Sequence, residues 1–289
     1  MVADLDVRLA DGRVLRVHDS ETGDFALLWQ HGSPQTGALL DPVLAAAGAR
    51  GIRLLSYGRP SYGGSTPQPG RDIAAAAVDV GQIADALGID QFATMGASGG
   101  GPHALACGAL LPERVVGVVS LSGPAPFTES FDWYAGMHSD AALRAAAEGR
   151  EARERFAAGD EFDPDSFTVR DWATLDGHWA ALGVDAGRAG EAGPDGLIDD
   201  DVAFASPWGF DVKQVEVPVL IAQGGDDRVI PPSHGEWLMR NCPTAEFWFR
   251  PRDGHISILG VVPLAMDWLT VNAWSGKPGG PARPGPGHG

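Results

Sequence analysis

The stretch QFATMGASGGGPHALACGALL, residues 91–111, decides the fold of this chain. Residues 91–96 are mostly apolar, which is typical of a strand buried on both faces of a sheet. Residues 102–111 have an apolar helical pattern, and glycines surround Ser98 between the two segments. A strand that reverses sharply into a helix needs small residues at the turn, since larger side chains would collide. The stretch therefore predicts a strand–turn–helix unit with a serine at its apex.

Ser98 is the candidate nucleophile, because residues 96–100 match the pattern G-x-S-x-G. Such a turn lifts the serine hydroxyl above the sheet. It also brings the N–H of Gly99 to the helix N-terminus, where the macrodipole favours an anion. The chain contains 40 glycines, so an ordinary glycine-rich turn is the alternative interpretation. Partners elsewhere in the sequence decide between the two.

Strand and helix patterns alternate along most of the chain, which predicts an α/β fold with a mostly parallel sheet and helices on both faces. A β-hairpin at residues 7–17, with its turn at Asp11-Gly12, precedes this alternation. Strands are predicted at 25–29, 52–56, 91–96, 115–121, 217–222 and 245–249, and helices at 38–49, 73–87, 102–111 and 259–273.

The alternation is interrupted once. Residues 127–207 contain helical patterns, such as 141–158 and 167–182, but no strand-like run, and we interpret them as a helical insertion. The predicted core consists of residues 1–126 and 208–275. The Gly/Pro-rich tail at 276–289 is predicted to be disordered, because it has too few apolar residues to bury a core.

Three further motifs follow predicted strands. His31-Gly32-Ser33-Pro34 can bring a backbone N–H, that of Ser33, towards a reacting carbonyl. His31 itself is either a base or, as we favour, a residue that holds this loop by a local hydrogen bond. Residues 224–231 supply an acid, Asp226 or Asp227, and residues 253–255 end in His255. Parallel sheets gather such loops at the carboxyl ends of their strands.

These motifs together resemble the α/β-hydrolase superfamily. The resemblance implies a Ser98–His255–Asp227 catalytic triad and an oxyanion hole formed by the N–H groups of Ser33 and Gly99. It also implies that the insertion is a helical cap over the active site. The matching segments are 31–34, 57–65, 96–100, 224–231 and 254–255.

The resemblance favours Asp227 over Asp226, because Gly224, Asp227 and Pro231 fit the family's pattern G-x-x-D-x-x-x-P. One loop departs from the family, since its usual D-R-P-G-Y-G is replaced by GRPSYG at residues 58–63. The serine nucleophile argues against the branches that use aspartate, the haloalkane dehalogenases and epoxide hydrolases.

The leading hypothesis is a serine hydrolase that cleaves a small hydrophobic ester, or a lactone or amide, through an acyl-enzyme on Ser98. The same residues also allow an aminopeptidase similar to proline iminopeptidases, a carbon–carbon bond hydrolase, or a receptor that turns its ligand over slowly. None of these hypotheses requires a metal or an organic cofactor.

Two groups of residues in or near the insertion have competing interpretations. Four tryptophans either line an aromatic substrate pocket or fill the core of the cap: Trp133, Trp172, Trp179 and Trp208. The run Asp199-Asp200-Asp201 either binds a substrate amine or, as we favour, opens a helix and complements its dipole. His234, outside the insertion, is expected at the surface.

Composition narrows the choice of partners and location. The net charge is −17, and a surface this acidic repels nucleic acids and anionic membranes. No apolar run is long enough to cross a membrane, and residues 1–6 do not look like a signal peptide, so we expect a cytoplasmic protein. Cys107, a predicted core residue, and Cys242 suggest neither a disulfide framework nor a zinc site. We expect a small-molecule substrate and a monomer or homodimer.

Overall fold

The computed structural model describes residues 2–159 and 162–274. The tail predicted at 276–289 therefore lies outside the described residues.

An eight-stranded sheet forms the centre of the described part of the chain, in the order β1-β2-β4-β3-β5-β6-β7-β8. The hairpin strands β1 and β2 pair antiparallel, β2 pairs antiparallel with β4, and the other neighbours are parallel. The predicted hairpin and mostly parallel sheet are thus confirmed. The strands are Ala3–Arg8 (β1), Val14–Asp19 (β2), Phe25–Gln30 (β3), Ile52–Tyr57 (β4), Phe92–Ala97 (β5), Val115–Leu121 (β6), Val219–Gly224 (β7) and Ala245–Arg250 (β8).

Helices cover both faces of this sheet. Every residue of β3, β5, β6 and β7 is buried, as expected for strands with helices on either side. One hydrophobic cluster joins the sheet to α2, α3 and α9, and a second joins it to α1 and α10. These helices are Asp41–Gly48 (α1), Ala75–Ala86 (α2), Gly100–Leu110 (α3), Pro232–Asn241 (α9) and Val262–Leu269 (α10). Cys107 is buried in α3, as predicted.

The remaining helices lie between β6 and β7. They are Ala141–Ala147 (α4), Arg150–Ala157 (α5), Val169–Leu175 (α6), Ala180–Glu191 (α7) and Asp195–Phe204 (α8). We call residues 127–207 the inserted segment. Its described residues contain no strand, and its α6 packs against the short helical turn Ser257–Val261. The division of the chain into a core and a cap stays a prediction.

Two helices predicted in the inserted segment are each interrupted. The pattern at 141–158 forms α4 and α5, because Gly149 takes a positive φ of 108° between them and breaks the helical backbone. The pattern at 167–182 forms α6 and the start of α7, separated by a turn at 176–179. No helix in the described part of the chain has the length and apolar character needed to span a bilayer.

Candidate active site

Ser98 lies in the sharp turn between β5 and α3, as the sequence predicts. Its φ is +52°, a left-handed conformation that costs a residue with a side chain about 1–2 kcal/mol. The turn is tight enough that a Cβ atom at Gly96 would collide with the backbone of Gly100. This geometry leaves the Ser98 side chain at the carboxyl edge of the sheet, where loops from neighbouring strands meet it.

Three side chains form a hydrogen-bonded row at this edge. His255 Nε2 lies 2.9 Å from Ser98 Oγ, and His255 Nδ1 lies 2.9 and 3.1 Å from the two carboxylate oxygens of Asp227. Asp227 follows β7 and His255 follows β8. In this arrangement Nδ1 donates to the carboxylate, which leaves Nε2 to accept the serine proton.

Asp227 is held in place by the backbone of its own loop. Its Oδ1 accepts hydrogen bonds from the N–H groups of Val229 and Ile230, each at 2.9 Å. Asp227 is buried, whereas the alternative acid Asp226 is exposed. The structure therefore brings Asp227, and not Asp226, to the histidine.

The electrostatic surroundings of His255 favour its charged form. Burial alone would lower the pKa of His255, but the charge and hydrogen bond of Asp227, with a smaller contribution from Asp171, outweigh burial and raise it above its usual value. A base with a raised pKa takes up a proton more readily, which suits proton transfer from Ser98.

Two backbone N–H groups beside Ser98 are available to a ligand. The N–H of Gly32 donates to Gln35 Oε1 at 2.6 Å. By contrast, the N–H groups of Ser33 and Gly99 have no hydrogen-bond acceptor among the residues that the structure describes. A Cβ atom at Gly99 would meet the Ser33 side chain, so the two loops lie against each other. This geometry suits the predicted oxyanion hole, whose role stays a prediction.

Gly99→Ala keeps the backbone N–H but is expected to displace it, and so to lower kcat for ester hydrolysis by about 100-fold, the usual effect of losing one oxyanion donor. The added methyl group would meet Ser33 Oγ and would come within 2.9 Å of Phe204 Cζ, so the two loops must separate. Steady-state kinetics of the variant, with circular dichroism to check folding, would test this. Wild-type kcat in a folded Gly99→Ala protein would contradict it.

Two phenylalanines of the inserted segment lie beside the reacting groups. Phe167 stacks on His255 with ring centroids 6.4 Å apart and planes 14° from parallel. Phe204 contacts Gly99 and also packs on His103, edge to face. Sequence analysis missed both rings, because no local pattern shows which aromatic residue of an insertion faces the sheet.

The four tryptophans predicted to line the pocket occupy different environments. Trp133 and Trp208 belong to one hydrophobic cluster and Trp179 to the other, so these three rings fill core. Trp172 is exposed and contacts Phe167 at a centroid distance of 5.4 Å. Of the four, Trp172 is thus connected to the ring that covers His255.

The acidic run 199–201 does not open a helix, so that prediction is wrong. It lies in the middle of α8, and all three carboxylates are buried beside arginines. Asp200 pairs with both Arg59 and Arg71. The other two carboxylates pair with arginines of α5: Asp199 with Arg150 and Asp201 with Arg153. The prediction failed because a helix-dipole argument considers only local sequence, whereas these aspartates pair with arginines that are distant in sequence.

Asp200 is the centre of a buried polar network. Burial by itself would raise the pKa of Asp200, but the charges of Arg59 and Arg71 hold it well below its usual value. Ser33 Oγ and Tyr62 Oη also donate to this carboxylate. Removing one partner of such a buried pair typically destabilises a protein by about 3–5 kcal/mol, because a charge is left uncompensated.

Two other histidines form hydrogen bonds with the backbone and have a structural role. His31 holds its loop, as predicted: Nδ1 is 2.7 Å from the Gly32 carbonyl oxygen, and Nε2 accepts the N–H of Arg59. His234, predicted at the surface, is fully buried, so that prediction is wrong. Its ring accepts the N–H of Ala125 and lies 2.8 Å from the carbonyl oxygen of Trp133. Burial lowers the pKa of His234 to about 4.

Metal-ligating side chains are not clustered in the described residues. No group of three or more histidine, cysteine, aspartate or glutamate side chains is placed there to hold a metal ion.

Comparison with known proteins gives matches over most of the chain. A family model described as alpha/beta hydrolase fold matches residues 26–150. A 2-hydroxy-6-oxo-6-phenylhexa-2,4-dienoate hydrolase from Burkholderia cepacia is 26% identical over 254 residues, 83% of this chain and 84% of that protein.

Solved structures match a still larger share of the chain. An esterase from Thermogutta terrifontis has a TM-score of 0.69 at 21% identity, covering 92% of this chain and 98% of its own. An enol-lactonase from Burkholderia xenovorans has a TM-score of 0.68 at 19% identity, covering 92% and 100%. These matches confirm the predicted fold class.

Proposed function

We propose that this chain is a serine hydrolase of the α/β-hydrolase fold that cleaves a small hydrophobic ester, or a lactone or amide, through an acyl-enzyme on Ser98. One observation carries the proposal. Ser98, His255 and Asp227 form a continuous row of hydrogen bonds at the carboxyl edge of the sheet, with 2.9 Å between serine oxygen and imidazole. A serine hydroxyl is a weak nucleophile on its own, and an adjacent oriented base activates it.

The proposed reaction has two halves. His255 Nε2 takes the proton of Ser98 as the serine oxygen attacks the substrate carbonyl, and Asp227 stabilises the imidazolium that forms. The protonated ring then gives its proton to the leaving group, and the acyl group stays on Ser98. Water, activated by the same imidazole, attacks the acyl-enzyme and regenerates the serine hydroxyl. The oxyanion formed in each half would accept hydrogen bonds from the N–H groups of Ser33 and Gly99.

The proposed substrate is hydrophobic because aromatic rings flank the reacting groups. Phe167 covers the His255 ring and Phe204 lies beside Gly99. Apolar walls with a few polar groups are typical of small-molecule sites. The names of two structural neighbours, an esterase and an enol-lactonase, are consistent with an ester or lactone.

A carbon–carbon bond hydrolase is the second candidate. The relative from Burkholderia cepacia is named for a dienoate substrate and matches 83% of this chain. Loss of that dienoate, followed by absorbance and compared with hydrolysis of p-nitrophenyl butyrate, would distinguish the two. The aminopeptidase hypothesis has lost its candidate amine ligand, because arginines occupy the carboxylates of Asp199, Asp200 and Asp201.

Covalent labelling tests the proposal directly. A fluorophosphonate probe is expected to attach one phosphonyl group to the peptide that contains Ser98, as detected by mass spectrometry after digestion. Hydrolysis of p-nitrophenyl esters of increasing chain length would then define the acyl preference. Labelling elsewhere, or an unlabelled protein that still hydrolyses esters, would contradict a serine mechanism. Tight binding of a hydrophobic ligand without turnover would instead favour the receptor hypothesis.

The pH dependence of kcat/KM is expected to follow His255. The base must be neutral, and its pKa in the folded protein is raised above the usual value of about 6.5. Activity is therefore lost as pH falls through that raised pKa, and the midpoint of the acid limb lies above about 6.5. Initial rates at low substrate from pH 5 to 9 would measure it. A midpoint clearly below about 6.5 would contradict this assignment.

A further inference from the structure

A buried aspartate of α6 holds the loop that carries His255. One carboxylate oxygen of Asp171 accepts hydrogen bonds from the N–H of Ile256 at 2.9 Å, the N–H of Ser257 at 2.7 Å and the hydroxyl of Ser257 at 2.8 Å. Its other oxygen accepts the N–H and hydroxyl of Thr168, at 3.0 and 2.8 Å. The two amides on the loop belong to the residues directly after the histidine, so Asp171 sets the position at which the ring leaves the backbone.

A neighbouring ion pair holds the same loop on the N-terminal side of His255. Arg170, also on α6, forms an ion pair with Asp253 at 2.9 Å, two residues before His255. The carboxylate of Asp171 also lies directly against Gly254, where a Cβ atom would collide with it. The inserted segment therefore contacts the histidine loop both before and after the ring.

A second buried aspartate, on α8, holds the loop of the proposed oxyanion hole. Asp200 accepts a hydrogen bond from Ser33 Oγ. It also pairs with Arg59, whose guanidinium donates to the carbonyl oxygens of His31 and Gly32 and, at 3.0 Å, to Ser33 Oγ. Asp200 is fully buried. The position of the Ser33 backbone thus depends on a carboxylate 167 residues later in the chain.

The two contacts have a common form. In each, a buried carboxylate of the inserted segment accepts hydrogen bonds from a loop that carries one part of the proposed catalytic machinery. Burying an ionised carboxylate is unfavourable unless several donors satisfy it. A residue that only attached the segment to the core would not need to contact these loops. A buried carboxylate can instead hold the segment together, as Asp201 of α8 does by pairing with Arg153 of α5.

We propose that Asp171 and Asp200 are positioning residues: Asp171 holds the His255 loop and Asp200 holds the Ser33 loop, so that the inserted segment completes the catalytic geometry as well as covering it. This inference rests on the proposed function. It predicts different kinetic defects for the two residues, because one acts through the base and the other through the oxyanion.

Asp171→Asn is expected to lower kcat by about 100-fold, the effect of a misplacement of about 1 Å in a catalytic group. An asparagine keeps one acceptor oxygen but turns an N–H₂ group towards donors that it cannot satisfy. The acid limb of kcat/KM is also expected to move to lower pH, because the charge of Asp171 contributes to the raised pKa of His255. The other charged groups near the ring are Asp227, which remains, and Asp253, which is paired with Arg170 and Arg250.

Asp200→Asn is expected to lower kcat by about 100-fold through the oxyanion hole, with KM within about threefold of the wild-type value. The affinity for a trifluoromethyl ketone, which forms an oxyanion on Ser98, should fall by a similar factor, while the acid limb stays in place. Since this variant leaves two buried arginines short of a partner, Ser33→Ala provides a milder test. It removes the direct hydrogen bond to the loop, keeps both ion pairs and leaves the indirect link through Arg59, and we expect about a 10-fold loss of kcat and of ketone affinity.

Matched controls separate positioning from general packing. Asp201→Asn removes a buried carboxylate from the same helix as Asp200, where it pairs with Arg153 of α5, and Asp195→Asn removes an exposed carboxylate of that helix, which pairs with Arg150 of α5. Both are expected to keep kcat within about twofold and the acid limb unchanged, because both carboxylates pair with arginines of α5 and not with the Ser33 loop or the His255 loop. The double variant Asp171→Asn/Asp200→Asn should show additive losses, whereas Asp200→Asn and Ser33→Ala should be non-additive.

Different results would contradict the positioning role of these residues and the proposed function. If Asp171→Asn and Ser33→Ala both keep wild-type kcat, acid limb and ketone affinity, or if the controls lose as much, the positioning inference is wrong. If the wild type neither reacts with fluorophosphonate nor hydrolyses any ester, the proposed function fails instead. In that case the NMR signals of the His255 ring still test Asp171, because chemical shifts unchanged in Asp171→Asn would overturn its role at the loop.

Discussion

Replacing Ser98 with alanine is expected to lower kcat for p-nitrophenyl butyrate on the order of 10⁶-fold, the effect of removing the nucleophile from a three-residue unit. The loss is this large because His255 and Asp227 can act only through the serine oxygen that lies 2.9 Å from the imidazole. The fold should survive, since alanine removes one hydroxyl group and leaves the turn's backbone unchanged. Steady-state kinetics with an active-site titration of the wild type would measure the effect.

Ser122→Ala is the matched control for that experiment. Ser122 follows β6, the strand next to β5, and it also has a positive φ, +45°. Its hydroxyl is buried without a hydrogen-bond partner among the described residues, so its removal should leave kcat within about threefold. Comparable rates for Ser98→Ala and the wild type would end the serine mechanism. A large loss in Ser122→Ala would show that the proposed site is incomplete.

Asp227→Asn is expected to lower kcat by about 10⁴-fold near neutral pH, with the fold intact. The asparagine oxygen can still accept the N–H groups of Val229 and Ile230, so the loop has a reason to keep its shape. Its N–H₂ group would then face His255 Nδ1 and favour the tautomer protonated on Nε2, which cannot accept the proton of Ser98. The pKa of His255 should also fall, since Asp227 provides the largest interaction that raises it.

Asp226→Asn tests whether the effect belongs to the residue or to the loop. Asp226 is adjacent in sequence, carries the same charge and is exposed, so its replacement should change kcat by less than about twofold. The pH profiles of both variants would show whether the acid limb moves only when Asp227 is changed. If Asp226→Asn were the inactive variant, the acid of the triad would have to be reassigned.

The strands of the sheet were predictable because their signal is local. β3, β5 and β6 are short apolar runs bounded by polar or glycine-rich turns, and the predicted bounds differ from those in the structure by one residue or less. The inserted segment was harder, since its helices are short and amphipathic. Gly149 interrupts one predicted helix with a backbone conformation that the apolar pattern does not report.

The candidate site was predictable where chemistry restricts residue type. The sequence has a serine among glycines, an acid after β7 and a histidine after β8. The serine and the histidine are 157 residues apart, yet the parallel sheet brings all three loops to one edge. The side chains that surround them were not predictable in this way. Phe167 rather than Trp179 covers His255, because the packing of the inserted segment, and not its aromatic content, selects the ring.

Sequence alone thus determined which groups are available for chemistry and the edge of the sheet at which they meet, since strand patterns and glycine-rich turns depend on neighbouring residues. Only the tertiary structure decided what the acidic run at 199–201 does. Asp200 is stabilised by Arg59 and Arg71, which lie 141 and 129 residues before it. The free energy of a buried charge depends on the partners that folding brings around it, and no local pattern contains that information.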